Sequence, residues 1–178
     1  MNDNIAAIRQ AIRDIPNFPK PGIVFKDITP LLGNGQLFRR TIDILAERYQ
    51  SQKIDTVLGI ESRGFIIGSA LAYELGAGFG VVRKPGKLPY QTQKASYQLE
   101  YGVDTLEIHV DAIPNQSRVL IADDLIATGG TAAATAHLVS ALGGIVVECA
   151  FVIELSFLKG REKLKPHGVF SIVQYDCE

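Results

Sequence analysis

The apolar positions of this chain change period repeatedly, and the changes outline a fold. Ile5, Ile8, Ile12 and Ile15 recur at helical spacing with Arg9, Arg13 and Asp14 between them, which predicts a short amphipathic helix. Residues 37–49 (LFRRTIDILAERY) predict a second. Residues 56–60 (TVLGI), 119–122 and 145–154 are continuous apolar runs, with shorter ones at 78–83 (GFGVVR) and 171–175. Runs of this kind suit strands buried on both faces. Helical stretches begin at 65–75 and at about 131–142, and the second stops at Gly143-Gly144. Strands alternating with helices predict an α/β fold: a central, mostly parallel sheet, flanked by helices and joined by right-handed crossovers.

Two stretches break the alternation. Residues 18–32 (FPKPGIVFKDITPLL) are apolar, yet Pro19, Pro21, Gly22 and Pro30 oppose a regular helix and favour extended backbone. A stiff apolar arm suits one wall of a ligand pocket better than a linker. Residues 84–98 (KPGKLPYQTQKASYQ) are polar and carry two prolines. Beyond them Tyr97, Leu99 and Tyr101, then Leu106, Ile108 and Val110, alternate with polar residues, and Gly102-Val103-Asp104 is the predicted turn of a hairpin. A long polar loop with a hairpin inside a compact domain reads as a lid, spanning residues 84–110.

The chemistry concentrates in residues 119–131, VLIADDLIATGGT. An apolar run leads through Asp123 and Asp124 to a Thr-Gly-Gly-Thr turn, and an alanine-rich helix follows at once. A helix start behind glycines presents unpaired N–H groups and a favourable dipole to an anion. Glycines alone fit any strand-turn-helix junction. The adjacent carboxylates add oxygen acceptors that sugar hydroxyls or a divalent cation would satisfy. Together they suit a sugar phosphate, and no GxxxxGK[ST] motif of a nucleotide-binding P-loop occurs. A second junction, Glu61-Ser62-Arg63-Gly64, brings an arginine able to grip phosphate bidentately. Arg83, Lys84 and Lys87 form a basic group beyond the next strand, which read alone is a solvated charge run.

Composition narrows the field. The 178 residues suit one domain, and 47% hydrophobic content suffices for a full core. A formal net charge of −1 gives no basic field for nucleic acid. No apolar run is long enough to span a membrane, and no signal-peptide pattern opens the chain. Cys149 and Cys177 are isolated, which argues for a reducing, cytoplasmic setting, and three histidines show no metal-ligand spacing.

Residues 119–131 resemble the phosphoribosyl pyrophosphate (PRPP) motif of the type I phosphoribosyltransferases. Six segments in order, FPKPGIVFKDITPLL, ESRGF, RKPGKLP, SYQLEYG, VLIADDLIATGGT and LKGREKL, resemble the adenine-using branch of that family from about Phe18 to Leu164. The resemblance implies transfer of a phosphoribosyl group from PRPP to adenine, giving AMP and pyrophosphate. It implies one phosphoribosyltransferase domain over residues 1–178, with residues 1–33 as an N-terminal helix and base-binding hood. Asp123 and Asp124 would take the ribose hydroxyls, directly or through Mg²⁺, and Ala127, Thr128, Gly129, Gly130 and Thr131 the 5′-phosphate. Arg63, Arg83, Lys84 and Lys87 would serve pyrophosphate. The base would lie between Phe25 and Leu158, its edge read by backbone groups around Val24 and Lys26. Glu100 would be the lid's proton-shuttling carboxylate, the Glu61–Ser62 peptide would be cis, and the protein would be a homodimer. Two departures, Pro85 in the basic cluster and Glu61 where other members have aspartate, remove no group the chemistry needs.

Two other readings compete. A PRPP-sensing regulator would keep the loop without the transfer, but it would carry a DNA-binding domain or a basic surface, and would not need a lid glutamate. A sister enzyme for another nucleobase would share the loop but not the proline-rich arm or LKGREKL.

Overall fold

The structure, a computed structural model, describes residues 3–98 and 103–177. Helix α1 (Asp3–Ala11) leads into a two-stranded antiparallel ribbon of β1 (Arg13–Pro16) and β2 (Val24–Asp27). Helices α2 (Thr29–Gly33) and α3 (Gly35–Tyr49) follow, and Asn34 caps α3 by accepting from the N–H groups of Gln36 and Leu37. Then come β3 (Thr56–Ile60), α4 (Arg63–Leu75) and β4 (Gly78–Val82). An antiparallel hairpin, β5 (Thr92–Gln98) with β6 (Val103–His109), precedes β7 (Arg118–Ile126), α5 (Gly130–Ala141), β8 (Ile145–Leu155) and β9 (Gly168–Tyr175). Strands β4, β3, β7, β8 and β9 form, in that order, a five-stranded parallel sheet.

The predicted α/β architecture is therefore present, and its core follows the period of two along the central strands. Leu120 and Ala122 of β7 pack with Val152, with Ile8 of α1, Leu45 of α3 and Ile67 and Leu71 of α4. Val119 and Ile121 join Leu58, Ile60 and Phe151 under Ala132, Ala136, Leu138 and Val139 of α5. Leu106 and Ile108 of the hairpin extend this second cluster, so the base of the hairpin is part of the core. Among the described residues no helix is long and apolar enough to cross a membrane.

The structure corrects several boundaries. Helix α1 ends at Ala11, and Ile15 lies in β1, where it pairs with Phe25. The ribbon wins because it joins two distant segments: Arg13 donates to the Asp27 carboxylate at 2.6 Å, and Asp14 takes the Lys26 ammonium at 2.7 Å. Pro30 does not prevent a helix but occupies the first turn of α2, where its missing N–H costs nothing. Strand β7 runs four residues past Ala122, so Asp123 and Asp124 belong to the strand itself. Val103 and Asp104, predicted as part of the hairpin's turn, are strand residues too, with Asp104 opposite Tyr97, and Gly102 of that predicted turn lies outside the described residues. No α-helix links β8 to β9; two short 3₁₀ turns, Ser156–Leu158 and Gly160–Leu164, make that crossover.

Candidate active site at the carboxyl edge of the sheet

Strands β3 and β7 are neighbours, and both end beside one cleft of about 330 Å³. Its walls are the turn Glu61-Ser62-Arg63 after β3 and the segment 123–132, closed at the back by Phe151. In open parallel sheets this edge is where ligands bind, because helix N-termini and loop amides converge there. A larger groove between α3 and α4 combines apolar Phe38, Ile42, Ile66, Ala70 and Tyr73 with Arg39, Asp43, Ser69 and Glu74, and lies away from the carboxyl edge of β3 and β7.

The phosphate side of the cleft is backbone. Gly129 caps α5 with φ +76°, in the left-handed region, and supplies no side-chain cap. The first-turn N–H groups of α5 therefore face the cleft without a capping side chain, as an anion site requires. Thr131 donates through its hydroxyl to the Tyr97 phenol at 3.4 Å, and that phenol donates to Asp104 at 3.2 Å. The hairpin thus touches the loop that the sequence assigns to the 5′-phosphate.

The two aspartates differ. Asp124 is buried and ion-paired with the Arg63 guanidinium. Asp123 accepts from the Asp124 N–H at 2.8 Å. Burial, and then the negative charge of Asp124 beside it, push the Asp123 carboxyl well above the usual carboxylate range. A pair of this kind wants hydroxyl donors or a cation. Among the described residues no group of three or more histidines, cysteines or carboxylates could hold a metal ion. The oxygen-only pair still fits Mg²⁺, which keeps several waters and substrate oxygens when protein supplies one or two carboxylates.

The four predicted pyrophosphate residues do not all meet. Arg63 lies against Asp124, while Arg83 and Lys87 converge on Glu61. The Arg83 Nε donates to Glu61 at 3.3 Å and the Lys84 N–H at 3.0 Å. The Lys84 ammonium instead pairs with Asp104 of the hairpin at 3.3 Å. Burial raises the Glu61 pKa, but the Lys87 hydrogen bond, the Lys84 N–H and the neighbouring cations outweigh it and hold the carboxyl below its ordinary value. Glu61 is the organising group that sequence reasoning missed. The basic cluster after β4 is visible in the sequence, but not that it folds back onto Glu61 at the end of β3. The Glu61–Ser62 peptide is cis, as the resemblance implied.

Of the predicted base-side residues, Phe25 reaches the cleft lining through Arg63, while Val24, Lys26 and Leu158 are not among the residues that line it. Phe25 stacks edge-on against Phe18 at 5.3 Å, and the Arg63 guanidinium lies 5.3 Å from its ring centroid. Leu158 is 38% exposed, which is unusual for leucine and leaves an apolar face available. The Lys26 side chain turns away, buried between Asp14 and the ring of Tyr175, so only its backbone can face a ligand at β2. Glu100 lies outside the described residues.

A parallel sheet with a backbone anion loop, a carboxylate pair and an arginine turn at its carboxyl edge defines a class of sugar-phosphate-binding α/β proteins. A family profile, the phosphoribosyl transferase domain, matches residues 28–176. The adenine phosphoribosyltransferase of Syntrophotalea carbinolica is 60% identical over 168 residues, 94% of this chain and 98% of that protein. The solved adenine phosphoribosyltransferase of Rhodothermus marinus superposes with a TM-score of 0.94 at 56% identity, covering 98% of this chain and 100% of that one. That of Saccharomyces cerevisiae, complexed with an imino-altritol bisphosphate and adenine, gives 0.91 at 46% identity over 97% and 99% of the two chains. The chain belongs to the phosphoribosyltransferase family, among the adenine phosphoribosyltransferases.

Proposed function

We propose that the protein transfers the 5-phosphoribosyl group of PRPP to adenine, giving AMP and pyrophosphate in purine salvage. The observation that carries this reading is the single cleft in which the α5 anion loop, the Asp123–Asp124 pair and Arg63 face one another. Residues 127–131 take the 5′-phosphate, the two aspartates take the ribose hydroxyls, and Arg63, Arg83, Lys84 and Lys87 neutralise the departing pyrophosphate. Mg²⁺, carried in on PRPP oxygens, would supply further charge neutralisation beside Asp123 and Asp124. The reacting carbon develops positive charge as the pyrophosphate bond breaks, so water must be excluded before that bond opens. Closure of the lid over residues 84–110, above a hairpin base anchored in the core by Leu106 and Ile108, would do this, and Glu100 within it would manage the purine proton. Residues 1–33 act as a hood within one working domain.

Adenine selection follows from backbone geometry. Successive residues of a strand direct their N–H and C=O to opposite edges, so Val24 and Lys26 share one edge of β2. Their partners across the ribbon are Pro16, which has no N–H to give, and Asp14. An edge of this kind offers a donor and an acceptor to a purine. Adenine presents a donor at N6 and an acceptor at N1, and hypoxanthine reverses both, which would leave buried groups unpaired. The test is an assay with PRPP, Mg²⁺ and adenine, hypoxanthine, guanine or xanthine. Adenine is expected to win by orders of magnitude, and any other best substrate overturns the specificity.

The protein acts as a homodimer in the cytoplasm. Exposed Ile66 and Tyr73, seven residues apart on α4, and Phe79 on the edge strand β4 support a partner surface of apolar character. Tyr73→Asp should then shift the sedimenting species to monomer, and a wild type that sediments as monomer rules the dimer out. Support for a reducing compartment comes from two unpaired cysteines, one of them buried Cys149 with its thiol pushed up to about 12 by burial. Cell fractionation tests it.

A further inference from the structure

The segment that carries Leu158 and the loop that ends β7 touch through their backbones. A Cβ on Gly160 would lie 2.9 Å from Ile126 Cγ1 and 3.0 Å from the Gly129 nitrogen, and would overlap the Ala127 carbonyl. A Cβ on Gly129 would in turn overlap the Gly160 carbonyl. Two buried glycines therefore face each other, one at the start of α5 and one opening the second 3₁₀ turn. Only a residue without a side chain permits that approach on either side.

Arg161, the next residue, fixes this contact from behind. Its Nε and Nη2 donate to the two oxygens of Glu154 at 2.5 Å each, a bidentate grip on a carboxylate only 5% exposed. Its Nη1 donates to the Val169 carbonyl at 2.6 Å, and Nη2 also reaches Ser171 Oγ at 3.1 Å. Ser171 itself donates to Glu154 at 2.5 Å. Arg161 thus ties the short turn to both β8 and β9. Leu164 completes the anchor by inserting into the core beside Ile126 and Ala132.

We propose that Gly160 and Arg161 are positioning residues which hold the Leu158 segment in fixed register with the Ala127–Gly129 loop, so that base and ribose phosphate are presented at one set spacing. The inference rests on the proposed function, since it needs a ligand spanning both sides. AMP is that ligand. Adenine engages one side and ribose 5-phosphate the other. Joining two fragments gains affinity only if their subsites keep the spacing that the joined molecule demands. Loosening the clamp therefore harms AMP more than it harms either fragment.

The test is calorimetric titration of the full protein with AMP, adenine and ribose 5-phosphate. Arg161→Ala cuts the tie to Glu154, and Gly160→Ala keeps that tie but wedges a methyl against Ala127. For each variant, the fold-loss for AMP is expected to exceed the product of the two fragment losses by at least about tenfold, in line with the sensitivity of aligned geometry to small displacements. Arg161→Lys, retaining one contact to Glu154, should recover part of the excess. A purely structural role would lower melting temperature and active fraction and leave the ratio at its wild-type value, which overturns the clamp. Should Arg161→Ala not fold, Gly160→Ala carries the same criterion. Wild-type protein that binds none of the three ligands overturns the proposed function and the clamp together. Wild-type binding with unchanged ratios in the variants overturns the clamp alone.

Discussion

Gly64→Ala separates stability from catalysis at the arginine turn. Gly64 is the second residue of α4 and packs on β7. A Cβ there would stand 2.7 Å from Asp123 Oδ1, 2.9 Å from the Ala122 carbonyl oxygen and 3.2 Å from Asp123 Cα. The nearest two are about 0.5 to 0.7 Å inside ordinary contact. Neither neighbour can step aside. Ala122 sits in the middle strand, paired on both sides with Gly59 and Ala150, and Asp123 Oδ1 holds the Asp124 N–H. The first turn of α4 must move instead, and Arg63 with it. Alanine gains about 1 kcal/mol of helix propensity over glycine. Overpacking costs about 1 to 3 kcal/mol. The balance is a stability loss of about 0 to 2 kcal/mol, or a drop of at most about 8 °C in melting temperature. A displacement of half an ångström at an arginine that must meet pyrophosphate is felt in the reaction even when the fold survives, since about 1 Å of misplacement can cost a hundredfold. We expect kcat/KM for PRPP to fall about tenfold at saturating adenine while the protein stays folded at assay temperature. Gly35→Ala, whose Cβ meets nothing within 4 Å, is the control and should leave kcat/KM unchanged. A Gly64→Ala enzyme within about twofold of wild type would refute the claim that this contact sets the position of Arg63.

Further expectations address the remaining groups. Glu100→Gln should lower turnover by at least about a hundredfold with both substrates still bound, and rapid-quench kinetics showing normal chemistry would remove its proton-transfer role. Asp123→Asn with Asp124→Asn should weaken PRPP binding by about tenfold or more, checked by titration calorimetry, because charged acceptors for the ribose hydroxyls are lost. Acid should destabilise the fold through Glu148, whose carboxyl accepts from Arg48 at 2.7 and 2.8 Å and from Tyr49 at 2.7 Å. Burial raises its pKa, but the Arg48 and Tyr49 hydrogen bonds prevail and hold it below the ordinary 4.5. A depressed carboxyl stabilises the fold above its unfolded pKa and loses that contribution as pH falls through the folded one. Melting temperature should thus be flat down to about pH 5 and fall below 4.5. Glu148→Gln should lower it by about 2 to 4 °C at neutral pH, reflecting about 1 kcal/mol for a partly screened pair, and flatten the acid slope. An unchanged slope would place the acid sensitivity elsewhere.

The sheet and helices were legible because their signals are local. Residues 56–60 read as a strand and are one, and the glycine stop after α5 is where the period ended. The phosphate loop was legible for the same reason: strand, aspartates, glycines and helix lie within thirteen consecutive residues. What stayed hidden depends on residues far apart in the chain. Nothing near Glu61 announces that Arg83 and Lys87 return to it across β4, or that Lys84 leaves them for Asp104. Ile15 has helical spacing from Ile12, and only its pairing with Phe25 ten residues on makes it a strand. Asp123 and Asp124 were placed beyond the strand because carboxylates lower strand propensity; pairing of Asp123 with Phe151 of β8, and of Leu125 with Ile153, carries the strand past them.

The arrangement of β2 bears on how this protein could be altered. Lys26 commits its ammonium to both Asp14 and the face of the Tyr175 ring, which keeps that charge away from a ligand at the strand's free edge. If the purine is read by that edge, base choice is stored in chain geometry, and residue identity at positions 24 and 26 is nearly silent. Drift there can run far without changing the nucleotide made. Conversely, a designer who wants another base gains little from exchanging side chains along the arm. The unit to replace is the whole ribbon, from Arg13 to Asp27, so that its donors and acceptors arrive in the opposite order.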